Sequence, residues 1–526
     1  MSRKTLHNVG IILACSIVAR LLSYIWEATL AAMYGATDET DALYMTSGIF
    51  LIVHPILDLG IWKVFLPIYK TKLVEKKDDL AAQMANTAMT FFFVVSFALV
   101  LLLIVCARPL VAALAPGFSP EKKAATIQYL RIASPFMIAV TLASVIGAML
   151  QSREKFLGSQ MREIGTHISK IVYLCICFRF LGIYAAVSSL IIGGIFRLLV
   201  QLPFIDWKWK FRLNFHFRDK DFMPMIKGLP SVALTSAIQH VNGMVDKIFA
   251  SASSSGAVAC LNYGHRLLNV FSGMISYAVS AAVYPTMIQY IAQKQEDKLR
   301  ELLKNVIHSL GFIIIPISCF CMFFSHDIVT VAFQRGAFDA KATLLTSGVF
   351  TGYCIGMFFW GVSAVVTNVF YGYGDTKITM YISLIGIVIN IFLDFLLMRL
   401  WGIVGLAAAT SLSAVICLSI RFVLLKRFIA IDYGTIGLEL VKILGVSLVS
   451  CGASLVLFRK ISFSNPYLPL AFDAALFGIG YLALAFLLKV KALMFVGNLV
   501  QSRAMPVVRA CLSKLGHMKG NDDQKP

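Results

Sequence analysis

Runs of about 20 predominantly apolar residues, the length that carries a helix across a hydrocarbon core of about 30 Å, recur along almost the whole of this chain. About fourteen such runs are present, centred near Leu13, Phe50, Val95, Val140, Leu174, Ile192, Leu234, Tyr277, Ile314, Met357, Ile385, Ala414, Leu448 and Leu476. A chain inside lipid must satisfy its backbone N–H and C=O groups within each span. These runs also lack the strict alternation of a transmembrane strand, so the expected fold is an all-α polytopic membrane protein. Composition excludes an ordinary soluble globule: 59% of the 526 residues are hydrophobic, 14% are charged and the mean hydropathy is +0.80, against about 45–50% apolar residues in soluble domains. The first run is too long for the core of a cleaved leader and carries Arg20 and Glu27, so it is read as a span.

The formal net charge is +20. Nucleic acid is not the expected partner, because the cations are spread over short loops rather than gathered on one soluble face. Arg3 and Lys4 begin the series, followed by Lys70, Lys72, Lys76 and Lys77, by Arg153, Lys155 and Arg162, and by Lys208, Lys210, Arg212, Arg218 and Lys220. Lys294, Lys298, Arg300, the Lys426-Arg427 pair and a basic tail from Lys489 complete it, in every second loop. The alternate loops at 34–41, with Asp38, Glu39 and Asp41, and at 251–257 are acidic or neutral. By the positive-inside rule the basic loops and both termini are expected in the cytoplasm, which requires an even number of spans. Lys122, Lys123, Lys341 and Lys460 are exceptions.

The chain also repeats itself at an interval of about 220 residues. Leu66-Pro67 returns as Tyr284-Pro285, Ala115-Pro116-Gly117-Phe118 as Arg335-Gly336-Ala337-Phe338, Gln151-Ser152-Arg153 as Tyr373-Gly374-Asp375, and Leu181-Gly182-Ile183 as Trp401-Gly402-Ile403. Each repeat holds about six spans, an even number, so the halves are expected to share one orientation and to enclose a central cavity. The expected organisation is a six-helix bundle at 1–206, an amphipathic interfacial linker at 207–222, a second six-helix bundle at 223–428, two extra spans at 429–490 and a basic tail at 491–526.

Ionisable groups in hydrocarbon are costly and mark cavities or partners. The apolar stretch 238–285, where the second repeat opens, holds Asp246, Lys247, His265 and Arg266. In the first span Arg20 and Glu27 lie two turns apart on one face, and in the second His54 and Asp58 are i,i+4. Singly, each is explained as well by a buried pair or by a side chain reaching the interface. As a set on the inner helices of both repeats they are expected to line a cavity. Arg20 and Arg266 suit bidentate phosphate recognition there, so the expected cargo is anionic and phosphate-bearing.

Asn390 and Asp394 are i,i+4 on one span, Thr410 lies on the next and Asp246 opens the same half. Such a hard-oxygen set suits a small hard cation such as Na⁺. It suits polar contacts between packed helices equally well, and the residues alone leave both open. No G-x-x-x-x-G-K-[ST] loop is present, so no nucleotide is expected, and neither G-x-S-x-G nor H-E-x-x-H occurs. Eleven cysteines, including Cys175/Cys177 and Cys319/Cys321, mostly sit inside apolar runs and read as packing residues.

Val18-Ala19-Arg20-Leu21-Leu22, Tyr34-Gly35-Ala36 followed by Thr40-Asp41-Ala42, Phe65-Leu66-Pro67, Ala115-Pro116-Gly117-Phe118 and Tyr263-Gly264-His265-Arg266-Leu267 together resemble the MviN/MurJ family. These are lipid II flippases of the multidrug/oligosaccharidyl-lipid/polysaccharide exporter superfamily. The resemblance spans nearly the whole chain. It implies a transporter, not an enzyme, in the bacterial cytoplasmic (inner) membrane. Its two bundles around a cationic cavity would move undecaprenyl-pyrophosphate-linked peptidoglycan precursor to the outer leaflet by alternating access, with a hydrophobic groove on the last two helices for the lipid tail. By the same resemblance Arg20 and Arg266 fall on cavity arginines, Asp41 on an acidic residue near the first turn and Glu27 on an Asp. Asp246, Asn390, Asp394, Leu406 through its backbone carbonyl, and Thr410 fall on a sodium site. Trp26 and His54 stand where the family usually has cavity arginines, and Leu59 replaces a common Glu. Other readings are a flippase for a different polyprenyl-linked glycan and a scaffold that recruits cell-wall synthesis machinery; short outward loops weigh against a membrane enzyme.

Overall fold

The computed structural model describes residues 3–205, 209–219, 222–458 and 467–493. Among these residues every regular element is helical. The first half holds α1 (Arg3–Tyr34), α2 (Asp38–Gly60), α3 (Leu66–Val74), α4 (Asp78–Val105), α5 (Ala107–Leu114), α6 (Pro120–Ala133), α7 (Phe136–Ser152), α8 (Phe156–Leu181) and α9 (Ile183–Leu199). There follow α10 (Met223–Ser251), α11 (Ala257–Leu268), α12 (Met274–Ala292), α13 (Glu296–Phe323), α14 (Ser325–Phe333), α15 (Ala340–Cys354), α16 (Met357–Gly372), α17 (Thr376–Trp401), α18 (Ile403–Leu425), α19 (Tyr433–Phe458) and α20 (Tyr467–Leu487). The order recurs: α4 and α13 are each 28 residues long, and α8 and α17 each 26.

The boundaries follow from local chemistry. Thr37 caps α2 through a reciprocal pair, its Oγ1 accepting from Thr40 N at 3.4 Å while Thr37 N donates to Thr40 Oγ1 at 2.8 Å. Ser119 caps α6, with Pro120 at the first helical position. Pro135, which has no N–H to donate to the Arg131 carbonyl and whose ring crowds it, breaks α6 from α7 at an angle of 42°. Between α8 and α9 stands Gly182 at φ +53, a left-handed conformation natural to glycine. Among the described residues ten helical stretches are long and apolar enough to cross a membrane, and three bent pairs bring the total to at most thirteen. The expected fourteenth, near Leu234, falls on α10, which carries Asp246 and Lys247 and whose side chains 231–239 lie outside the description. Large apolar side chains left bare, such as Phe180 at 84% exposure and Val105 and Phe486 at 74%, are the outer face of a multi-pass membrane protein.

Two compact units form. The first comprises Met1–Leu267, Ala332–Val349 and Ser383–Thr410, the second Leu268–Val331, Phe350–Ile382 and Ser411–Pro526. In the first unit α2 packs on α10, α1 on α8, and α9 on both α7 and α8. Its core includes Phe65, Tyr69, Phe92 and Phe222. In the second, α13 packs on α19 and α19 on α20, where Tyr481 donates to the Phe312 carbonyl at 2.9 Å beside buried Cys319 and Cys451.

The linker expected to be amphipathic is, over its described part at 209–219, an extended strap without helix. Lys208 and Lys220 lie outside the described residues. Asn86 on α4 bonds both the Lys210 carbonyl and the Arg212 N–H, and Asn214 bonds Thr87 and Thr90. Phe211, Leu213 and Phe215 stay exposed.

Candidate functional site: a charged cavity and an oxygen cluster

Inside the first unit α1, α2, α7, α8, α9 and α11 surround a cavity of about 300 Å³. Its lining combines apolar Phe50, Leu51, Phe136 and Val140 with charged Glu27, Lys170, Arg197 and Arg266. Glu27 is 3% exposed, so its charge must be compensated on the spot. Tyr44 Oη donates to Glu27 Oε2 at 2.6 Å, and Arg266 Nη2 donates to Oε1 at 2.6 Å. Lys247, one residue after Asp246, is buried and donates to the Tyr44 carbonyl at 2.9 Å.

Along α8 the i, i+4, i+7 series Glu163, His167 and Lys170 forms one polar face. Lys170 Nζ lies 4.0 Å from the centroid of the Trp26 ring, a cation–π contact. Glu163 takes two bonds from Arg197, at 3.0 and 2.6 Å. Behind the cavity Asp58 accepts from Ser144 Oγ at 2.5 Å and from Trp62 Nε1 at 3.1 Å, with Arg162 at 4.0 Å. His54 Nε2 and His167 Nδ1 are buried without a hydrogen-bond partner.

A third cluster ties together the starts of α2, α6 and α11. Asp41, fully buried at the start of α2, accepts from Gly256 N and Ala259 N at 2.8 Å each, which caps the start of α11. Lys122 on α6 bridges it to Asp38, at 2.5 and 2.7 Å.

Of the residues expected at the cargo site, Glu27, His54 and Arg266 line the cavity. Lys247 touches its wall through Tyr44, Asp58 stands behind it, and Asp41 lies in the separate cap. Arg20 and His265 are exposed and do not line it. Sequence reasoning missed Lys122, Lys170, His167, Glu163 and Arg197, and assigned Arg162 to a loop. Arg162 is helical and lies 4.6 Å from the Trp62 ring centroid. The polar series on α8 was a visible signal for three of these residues. Lys122 stood out as an exception to the loop charges.

In the same unit the oxygen residues come together. Asn390 Nδ2 donates to Asp246 Oδ1 at 3.0 Å and to Asp394 Oδ2 at 2.6 Å. Thr410 Oγ1 is 3.0 Å from Asp246 Oδ2 and 3.1 Å from the Leu406 carbonyl, and its one proton can serve either. Asn390 Oδ1 and Asp394 Oδ1 are buried without a partner. A bare carboxylate oxygen on Asp394 and a bare amide oxygen on Asn390, beside the Asp246 carboxylate and all in residues at 0–4% exposure, have the donor chemistry that a hard monovalent cation takes.

A family model described as "Lipid II flippase MurJ" matches residues 30–477. A Rickettsia prowazekii protein described as a probable lipid II flippase MurJ is 26% identical over 418 residues, which cover 78% of this chain and 82% of the relative. A Synechocystis protein of the same description is 24% identical over 468 residues, covering 85% and 87%. Among solved structures, a lipid II flippase MurJ in an inward closed conformation matches with a TM-score of 0.76 at 21% identity, over 91% of this chain and 98% of that one. An inward-facing multidrug resistance MATE family transporter of the MOP superfamily matches with a TM-score of 0.65 at 13% identity, over 77% and 92%. At these identities the structural likeness speaks for the fold.

Proposed function

Because the chain belongs to the MurJ family of lipid II flippases, we propose that it moves undecaprenyl-pyrophosphate-linked peptidoglycan precursor from the inner to the outer leaflet of the bacterial cytoplasmic membrane, with both termini in the cytoplasm. The observation that carries this reading is the charged cavity between membrane-spanning helices, with Arg266 held in place by a buried carboxylate. A pyrophosphate in lipid needs fixed cations, and Arg266 presents a planar guanidinium whose other nitrogens suit phosphate oxygens. His54 completes the proposed headgroup contacts inside the cavity, and Arg20, exposed two turns before Glu27 on α1, would meet the headgroup outside it. Alternating access would arise from the repeats 1–206 and 223–428 rocking about the cargo, with α19 and α20 taking the lipid tail.

Na⁺ is proposed as the coupling ion, held by Asp246, Asn390, Asp394, Thr410 and the Leu406 carbonyl. The two unpartnered oxygens of Asn390 and Asp394 support that fit. When bound, the ion would offset the two buried carboxylates and tie α10 to α17 and α18.

The test is rescue of cells depleted of their own lipid II flippase. Wild type should rescue, whereas Arg266→Ala, expressed and membrane-inserted, should not. A wild type that fails to rescue while present in the membrane would sink the lipid II assignment. The cargo would then be another polyprenyl-linked glycan, a reading to which Trp26 and His54 in the cavity wall lend weight.

A further inference from the structure

Three cations line the cavity, and two of them are already paired. Arg266 is bound by Glu27, and Arg197 is clamped by both oxygens of Glu163. Lys170, on α8, has no hydrogen-bond acceptor and no carboxylate within ion-pair distance among the described residues; its recorded contact is the face of Trp26. Burial at 9% exposure makes this an expensive position for an ammonium whose three donors are unused. The placement is built rather than incidental. The stem of Lys170 runs over Gly193 of α9, where a Cβ would sit 2.7 Å from Lys170 Cγ. In the same cavity wall His167, one turn before Lys170, and His54, on α2, hold ring nitrogens that are buried without partners.

An ammonium without an acceptor, and two imidazole nitrogens without partners that can carry an N–H, define what is missing: a group with several oxygens and negative charge. A neutral ligand would leave the ammonium with only the more distant attraction of Glu27, which Arg266 already holds, and a cation would be repelled. The apolar part of the lining, with Phe50 and Val140, fits a charged group joined to apolar chain. We propose that Lys170, with His54 and His167, is the anion anchor of this cavity, taking the pyrophosphate of the lipid-linked cargo while Arg266 remains held by Glu27. The assignment rests on the flippase reading for the lipid part of the ligand, and on the cavity alone for the anion. The Trp26 face is then the resting place of Lys170, which it leaves when a full negative charge arrives, because a cation–π contact is weaker than a charge-assisted hydrogen bond.

The experiment uses the full chain in lipid nanodiscs with three probes: lipid II, uncharged undecaprenol and inorganic pyrophosphate. Binding and tryptophan emission are followed for wild type, Lys170→Met and Lys170→Arg, with Trp26→Phe to identify the emitting residue. Lys170→Gln serves if the Met variant does not purify as a monodisperse protein. Lipid II should bind wild type in preference to undecaprenol and shift the Trp26 emission. Lys170→Met should weaken binding of lipid II and of pyrophosphate by about tenfold or more, and Lys170→Arg should recover it to within about threefold. If Lys170→Met binds lipid II as wild type does, the anchor is overturned and the flippase reading stands. If wild type binds pyrophosphate through Lys170 but ignores lipid II, the anchor stands and the lipid cargo is overturned. A wild type that binds none of the probes overturns both.

Discussion

Glu27 shows how much a single buried carboxylate decides. It holds Tyr44 and Arg266 at once, and Tyr44 in turn offers its backbone carbonyl to Lys247. Removing it leaves a phenol and a guanidinium without their acceptor. Glu27→Ala is expected to lose about 1–3 kcal/mol of stability, read as a lower thermal midpoint in detergent. Glu27→Gln should fall between wild type and Ala, because an amide oxygen still accepts from Tyr44; a Gln variant no better than Ala would show that the charge alone matters. The oxygen cluster gives a second prediction at this scale. Its bare Asn390 and Asp394 oxygens mean that Na⁺ should raise the thermal midpoint of wild type where choline does not, following the mass-action dependence of a ligand that binds the folded state. Asp394→Asn should abolish that response. An equal response in both proteins would remove Na⁺ from this site.

At the scale of elements, polar stripes on apolar helices explain arrangements that hydropathy misses. On α4 the stripe Asn86, Thr87 and Thr90 holds the strap 209–219 by four hydrogen bonds. The strap therefore runs extended over 209–216, with Phe211, Leu213 and Phe215 outward and the backbone at 210, 212 and 214 bonded to α4. Asn86→Ala removes two of these bonds at about 1 kcal/mol each. The strap should then open more often, and trypsin should cut at Lys210 or Arg212 several-fold faster, as mapped by mass spectrometry of the fragments. Unchanged cleavage would mean that Phe217, packed against Phe91 and Phe222, anchors the strap by itself. On α8 the polar series that the sequence shows brings His167 and Lys170 into the cavity wall, while Glu163 holds Arg197.

For the whole molecule, topology is the property to test. With both termini proposed as cytoplasmic, a cysteine at Lys76 should react with an impermeant reagent only from the cytoplasmic side, and one at Glu121 only from outside. Labelling of both from one side would break the alternation of loops. The sequence by itself determined the helical membrane class, the positions of nearly every span and the turns at 34–41 and 251–257. These depend on local hydropathy, caps and helical spacing, quantities that a short window of sequence contains. What only the tertiary structure decided is which charges meet: Lys122 with Asp41, Arg197 with Glu163, Lys170 over Trp26, and Arg20 outside the cavity rather than in it. The physical reason is that a buried charge must find its partner across helices far apart in the chain, and the rotation of each helix about its axis, which settles that choice, is set by packing against neighbours and not by the helix's own sequence.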